Sequence, residues 1–181
     1  LLSGWHYFIE ETQFVATLNY LKNPDVARQA SRGVFESAAG ANITRGAAWA
    51  LRTLAHASCI TPDDHPLRPE LLASLAANVD HYHQRYITTP SNPLGIVQPG
   101  GSYTTSDPYV GAPWMEDFLT AAFGTLKDLQ LLSAPTTARL DELLAWKYKS
   151  VVGRLGVLPD RFPLPVIAEN VKVIIDGENV T

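Results

Sequence analysis

The 181-residue chain has one cysteine, Cys59, and one methionine, Met115. A single cysteine excludes an internal disulfide, and its place between Ala57 and Ile60 near the end of a helical pattern predicts a small buried thiol. Long apolar runs are missing too. No stretch approaches the length that crosses a bilayer and no charged leader precedes a signal-like segment, so a membrane partner is not expected. Blocks of like charge are also absent. The 14 Lys and Arg and 18 Asp and Glu are scattered singly, and the formal net charge is -4 with a pI near 5.7. Such a chain has no electrostatic footprint for a phosphate backbone, which argues against nucleic acid as partner. There is no Gly-rich phosphate loop, nucleophile elbow, zinc-ligand pair or dinucleotide fingerprint. Gly100-Gly101-Ser102 lacks the strand, turn and helix that such motifs require, and no metal or cofactor is expected.

What is present is an ordinary globular composition, 46% hydrophobic, able to bury a core. Its periodicity is helical. Trp5, Phe8, Ile9, Val15, Leu18 and Leu21 recur at roughly helical spacing before Asn23-Pro24 ends the pattern. Residues 25–43, interrupted by Ser31, Gly33 and Gly40, read as connection. A second helix is expected from about Arg45 to Ser58, with Thr44 as N-cap and Trp49, Leu51, Leu54 and Ala55 as its bulkier apolar positions. The turn formers Thr61-Pro62-Asp63-Asp64-His65-Pro66 lead to a third, from about Arg68 to Ile87, whose stripe is Leu71, Leu75, Val79, Tyr82 and Tyr86. A fourth is expected from Pro113 to about Leu131, opened by proline and by Glu116 and Asp117, which suit the positive end of a helix dipole. A fifth, Thr137 to Leu155, repeats the stripe with Leu140, Leu143, Leu144, Tyr148, Val151 and Val152.

These patterns predict a mainly α fold of antiparallel helical hairpins over residues 1–156. No fixed-period repeat supports a solenoid of the tetratricopeptide kind. Residues 157–181, with Pro159, Pro163 and Pro165 and then the apolar run Val171 to Ile175, read as an extended segment and a single β-strand, the start of a following domain. The opening Leu1-Leu2-Ser3-Gly4-Trp5 carries no initiator methionine, and the chain is read as a segment of a longer protein. The remaining domains of that parent are expected partners.

Three stretches carry a resemblance: Thr44 to Leu54 (TRGAAWALRTL), Ile60 to Pro66 (ITPDDHP) and Ala112 to Leu119 (APWMEDFL). They resemble segments of large bacterial proteins whose helical part is similar to the six-hairpin, (α/α) toroid superfamily of glycosidases and polysaccharide lyases. The resemblance spans roughly Trp5 to Leu131. It implies an incomplete ring, because a full toroid has about twelve helices, and a sugar groove lined by aromatic and acidic residues at helix ends and in long loops. An extracellular or periplasmic location is implied only by that resemblance.

The irregular stretch between Thr88 and Ala112, with the helix start after it, holds the richest cluster. Aromatic Tyr103, Tyr109 and Trp114 offer faces to sugar rings, with Asp107 beside them. Glu116 and Asp117 are candidate acid and base groups, Tyr103 and His83 further catalytic candidates. Ordinary first-turn capping chemistry is the stronger reading of both carboxylates. Being adjacent on a helix, they point in different directions and do not make one catalytic pair. His81 and His83, two apart on a helix, do not share a metal. Arg45 and Arg52, with Trp49 between them, could hold a carboxylated sugar or be surface charge. His6 and Glu10 are four apart and could touch. Three functional readings follow: a carbohydrate-active fragment that binds polysaccharide in a groove, a non-catalytic helical module packing on other parts of its parent, or, ranked last, a small-molecule binding bundle.

Overall fold

A computed structural model describes residues 5–22, 44–89, 95–97, 110–111, 113–157, 171–172, 175–176 and 179–180. It is mainly helical. The elements are α1 (His6–Lys22), α2 (Thr44–Ile60), α3 (Arg68–His83), α4 (Pro113–Asp128) and α5 (Ala134–Val152). A π-helical turn, Gln84–Thr88, extends α3, and a second, Gly153–Val157, extends α5. Helix ends thus fall within a few residues of the periodic patterns. Near the C-terminus the apolar run forms two-residue ladders: Val171–Lys172 pairs antiparallel with Val110–Gly111, and Ile175–Asp176 with Asn179–Val180. Residues 173–174, inside the expected strand, lie outside the described residues, as do most of residues 157–181.

Two of the connections between helices are short and chemically defined. Between α2 and α3, Thr61 donates its hydroxyl to Ala57 O (2.6 Å) and accepts from Gln13 Nε2 of α1 (3.0 Å). Arg68 reaches back to the carbonyls of Ser58 (2.6 Å) and Thr61 (2.5 Å), giving partners to acceptors that the end of α2 leaves open. Proline in the first turn of α3 removes a donor that has no helical partner there. Between α4 and α5, Gln130 takes the left-handed conformation with φ of 52°, and Ser133 precedes Pro135 in the first turn of α5.

Side-chain contacts give the directions of the helices. Asp80–Arg139, His83–Glu142 and Tyr86–Trp146 climb together, so α3 and α5 run in the same sense. Thr44–Glu116 and Trp49–Phe118 do the same for α2 and α4. Across a hairpin the order reverses, as Lys127–Asp141 and Lys147–Glu116 show for α4 and α5. Two antiparallel hairpins, α2–α3 and α4–α5, therefore stack side by side in register of direction. Hydrogen bonding to Asp141 holds the exposed Lys127 ammonium above its ordinary pKa.

The core lies between these layers. The third-helix stripe is buried as its spacing predicts: Leu71, Leu75, Val79, Tyr82 and Tyr86. Leu119, Phe123 and Leu126 of α4 and Leu140, Leu143 and Leu144 of α5 complete it. Tyr82 stacks on Tyr86, Tyr86 on Trp146, and Phe123 meets Tyr82 edge-on. Other expectations are corrected. Among the positions of α1 whose burial is described, Gln13 and Ala16 are buried while Phe8 and Val15, like Trp5 just before the helix, are exposed, because Gln13 is the residue tied to the α2–α3 turn; Leu18 and Leu21 lie outside that description. On α5, Tyr148 and Val152 are exposed and Lys147 takes the inward position. Cys59 is exposed, since the inward face of α2 passes through Ala55, Ala57 and Ser58.

Two backbone positions give opposite expectations. Gly95 has φ of +75°, and a Cβ there would run into the Trp146 carbonyl and lie 3.0 Å from the Lys147 carbonyl oxygen. Gly95→Ala is expected to lower stability by roughly 1–3 kcal/mol. Gln130→Gly should raise it by up to about 1 kcal/mol, since relief of the left-handed penalty exceeds the added unfolded-state entropy. Urea unfolding with an unchanged m-value would check both; equal midpoints for Gly95→Ala and the natural chain would reject the clash.

Candidate functional site

The starts of α2 and α4 lie together, which joins two of the three stretches that carry the resemblance. Glu116 sits there but is only 3% exposed. One carboxylate oxygen, Oε2, accepts from Lys147 Nζ and from the Val97 backbone N–H (3.2 Å). Thr44 Oγ1 donates to the other, Oε1, at 3.4 Å. Lys147 is fully buried, so the two charges compensate each other out of contact with water. The Thr44 hydroxyl is thus turned to Glu116, and Thr44 is the first helical residue of α2, where N-capping was expected.

Asp117, one residue on, points elsewhere, as adjacent helical positions must. Its partner is Arg154 in the turn that follows α5, whose Nε faces Ser150 Oγ at 3.4 Å. The arginine is buried, and its Nη1 meets no acceptor among the described residues. The two carboxylates are thereby drawn into separate ion pairs with the same neighbouring hairpin arm.

Arg45 and Trp114 do come together. The guanidinium lies 5.5 Å from the indole centroid, with Arg45 exposed and Trp114 half-buried. Further along the same face Arg52 lies 4.1 Å over Trp49 and 5.3 Å over Phe118, and Trp49 meets Phe118 edge-on at 4.9 Å. This makes a strip of arginines and aromatic faces across two parallel helices, with Trp49 half exposed. His83 is in the other layer. Its Nε2 is 2.8 Å from Glu142 Oε2 and its Nδ1 3.4 Å from Thr88 Oγ1. Tyr103, Asp107 and Tyr109 lie outside the described residues.

Sequence reading did not single out Lys147, Arg154 or Glu142. For Lys147 a signal existed: it follows Leu140, Leu143 and Leu144 at the spacing of a buried stripe. Among the described residues no group of three or more potential metal ligands converges. No family model, curated protein or solved structure matches the chain.

Removal of one member of the buried pair strands the other. Lys147→Met is expected to cost about 3–5 kcal/mol, whereas Lys147→Met combined with Glu116→Gln should recover most of that loss. A double-mutant cycle in urea measures the coupling; additive losses would mean that the pair does not act as a unit.

Proposed function

We propose that this segment forms part of a toroid-like, carbohydrate-active protein and supplies a polysaccharide-binding wall, not the acid–base pair. The observation that carries the reading is the Arg45–Trp114 contact at the end where α2 and α4 begin. A planar aromatic face beside a fixed guanidinium suits a sugar ring bearing hydroxyl or carboxylate groups. Stacking of successive hairpins in the same sense supports membership of a larger ring of hairpins. Glu116 then serves as the post behind the wall. With its carboxylate buried against Lys147 it is poorly disposed to exchange protons with a bound sugar. Tyr103, Tyr109 and Asp107 would face the same sugar from the long loop, and cleavage, as in glycoside hydrolases or polysaccharide lyases, would depend on groups from that loop or from elsewhere in the parent protein.

A second reading, a non-catalytic module that packs on other parts of its parent, is favoured by one observation. Trp5 just before α1 and Tyr7, Phe8 and Phe14 within it are all exposed, with Trp5 67% open to solvent.

Affinity electrophoresis of the chain through gels containing neutral and acidic polysaccharides separates the two. Retardation by at least one polysaccharide is expected, weakened roughly tenfold by Trp114→Ala, a stacking loss near the upper end for an aromatic contact. Arg45→Ala and Tyr103→Phe should weaken it less, and Arg139→Gln in the opposite layer not at all. Migration unaffected by every polysaccharide would reject the wall and leave the packing module.

A further inference from the structure

Beyond the α2–α4 strip, a groove of about 770 Å³ opens between α1 and α2. That volume falls within the range of small-molecule sites. Its α1 wall is aromatic and aliphatic, made by Trp5, Phe8, Ile9 and Val15, and its α2 wall brings Arg52, His56 and Cys59. Arg52 is the distinctive member. Arg52 is half-buried, its guanidinium lies against Trp49 and Phe118, and it has no acidic partner among the described residues. A fixed, partly desolvated cation at the edge of an apolar cleft is best complemented by an anionic ligand with an apolar body. Glu11 also lines the groove but is exposed, where water screens its charge.

We infer that the groove between α1 and α2 binds a small organic carboxylate with a flat apolar body, its carboxylate received by Arg52 and its body lying against Trp5 and Phe8. The site is separate from the Arg45–Trp114 wall and does not depend on sugar binding. Arg52 is suited to the role because a guanidinium can offer two parallel N–H donors to a carboxylate while its carbon lies against aromatic rings. Only one residue of the chain can report occupancy by thiol chemistry, because Cys59 is its sole cysteine and lines this groove.

Titration calorimetry with naphthalene-2-carboxylate and its neutral carboxamide tests the assignment. The carboxylate is expected to bind at least roughly tenfold more tightly, the lower end of what a hydrogen bond between charged groups contributes. Arg52→Gln should abolish that preference, Phe8→Ala should weaken both probes, and Glu11→Gln should leave the preference intact or enlarge it. In the natural chain, the carboxylate should slow alkylation of Cys59 by iodoacetamide severalfold at concentrations where the carboxamide does not. This second readout needs no substitution and so stands even if a variant misfolds. Equal affinity for the two probes, no binding of either, or Cys59 reactivity indifferent to the carboxylate would overturn the inference.

Discussion

The contact between Glu116 and Lys147 is the constraint on which the rest of the described structure rests. Neither charge can be left alone in a core lined by Leu119, Leu140, Leu143 and Leu144, so each fixes the position of the helix that carries the other. The carboxylate also receives Thr44 from α2 and the Val97 backbone. One buried side chain thus ties together α2, α4, α5 and the short segment Gly95–Val97. Apolar packing would allow these helices to slide by a turn. The ion pair and its hydrogen bonds leave one register.

Around that pin the two hairpins divide their tasks. α3 and α5 form a layer whose contacts are aromatic stacks inside, with the exposed ion pair Asp80–Arg139 and the His83–Glu142 hydrogen bond at its edge. An exposed pair such as Asp80–Arg139 adds little to stability. The layer of α2 and α4 has small residues within, Ala47, Ala48 and Ala55, which bring the helices close, and arginine–aromatic contacts outside. Close packing is what brings Arg45 onto Trp114 and Arg52 onto Phe118.

Much of the fold was legible from spacing alone. The α3 stripe from Leu71 to Tyr86 is the plainest case, because every step of three or four landed on a buried residue. The same rule faltered on α5, where steps of three and four after Leu144 lead to Lys147 and Tyr148. Hydropathy favours tyrosine, and only the partner on another helix, 31 residues earlier, makes the lysine the inward one. The site was less legible for the same reason. Glu116 and Asp117 have the composition of a catalytic or capping pair, and their fate depends on Lys147 and Arg154, which no local pattern links to them. α1 misled differently: apolar residues surround it, so periodicity could not indicate that Gln13 faces inward.

The antiparallel course of α4 and α5 gives the buried pair a polarity of its own. Glu116 occupies the first turn of α4, beside the beginning of α2, where two helix dipoles present their positive ends. Lys147 lies more than a turn before the end of α5, outside the reach of that helix's negative end. The glutamate is therefore oriented with the backbone's own field as well as toward the lysine. Exchanging glutamate and lysine would preserve the attraction between them while setting the lysine against that field and removing the acceptor for Val97. The bond has a direction, and the helices around it supply the direction.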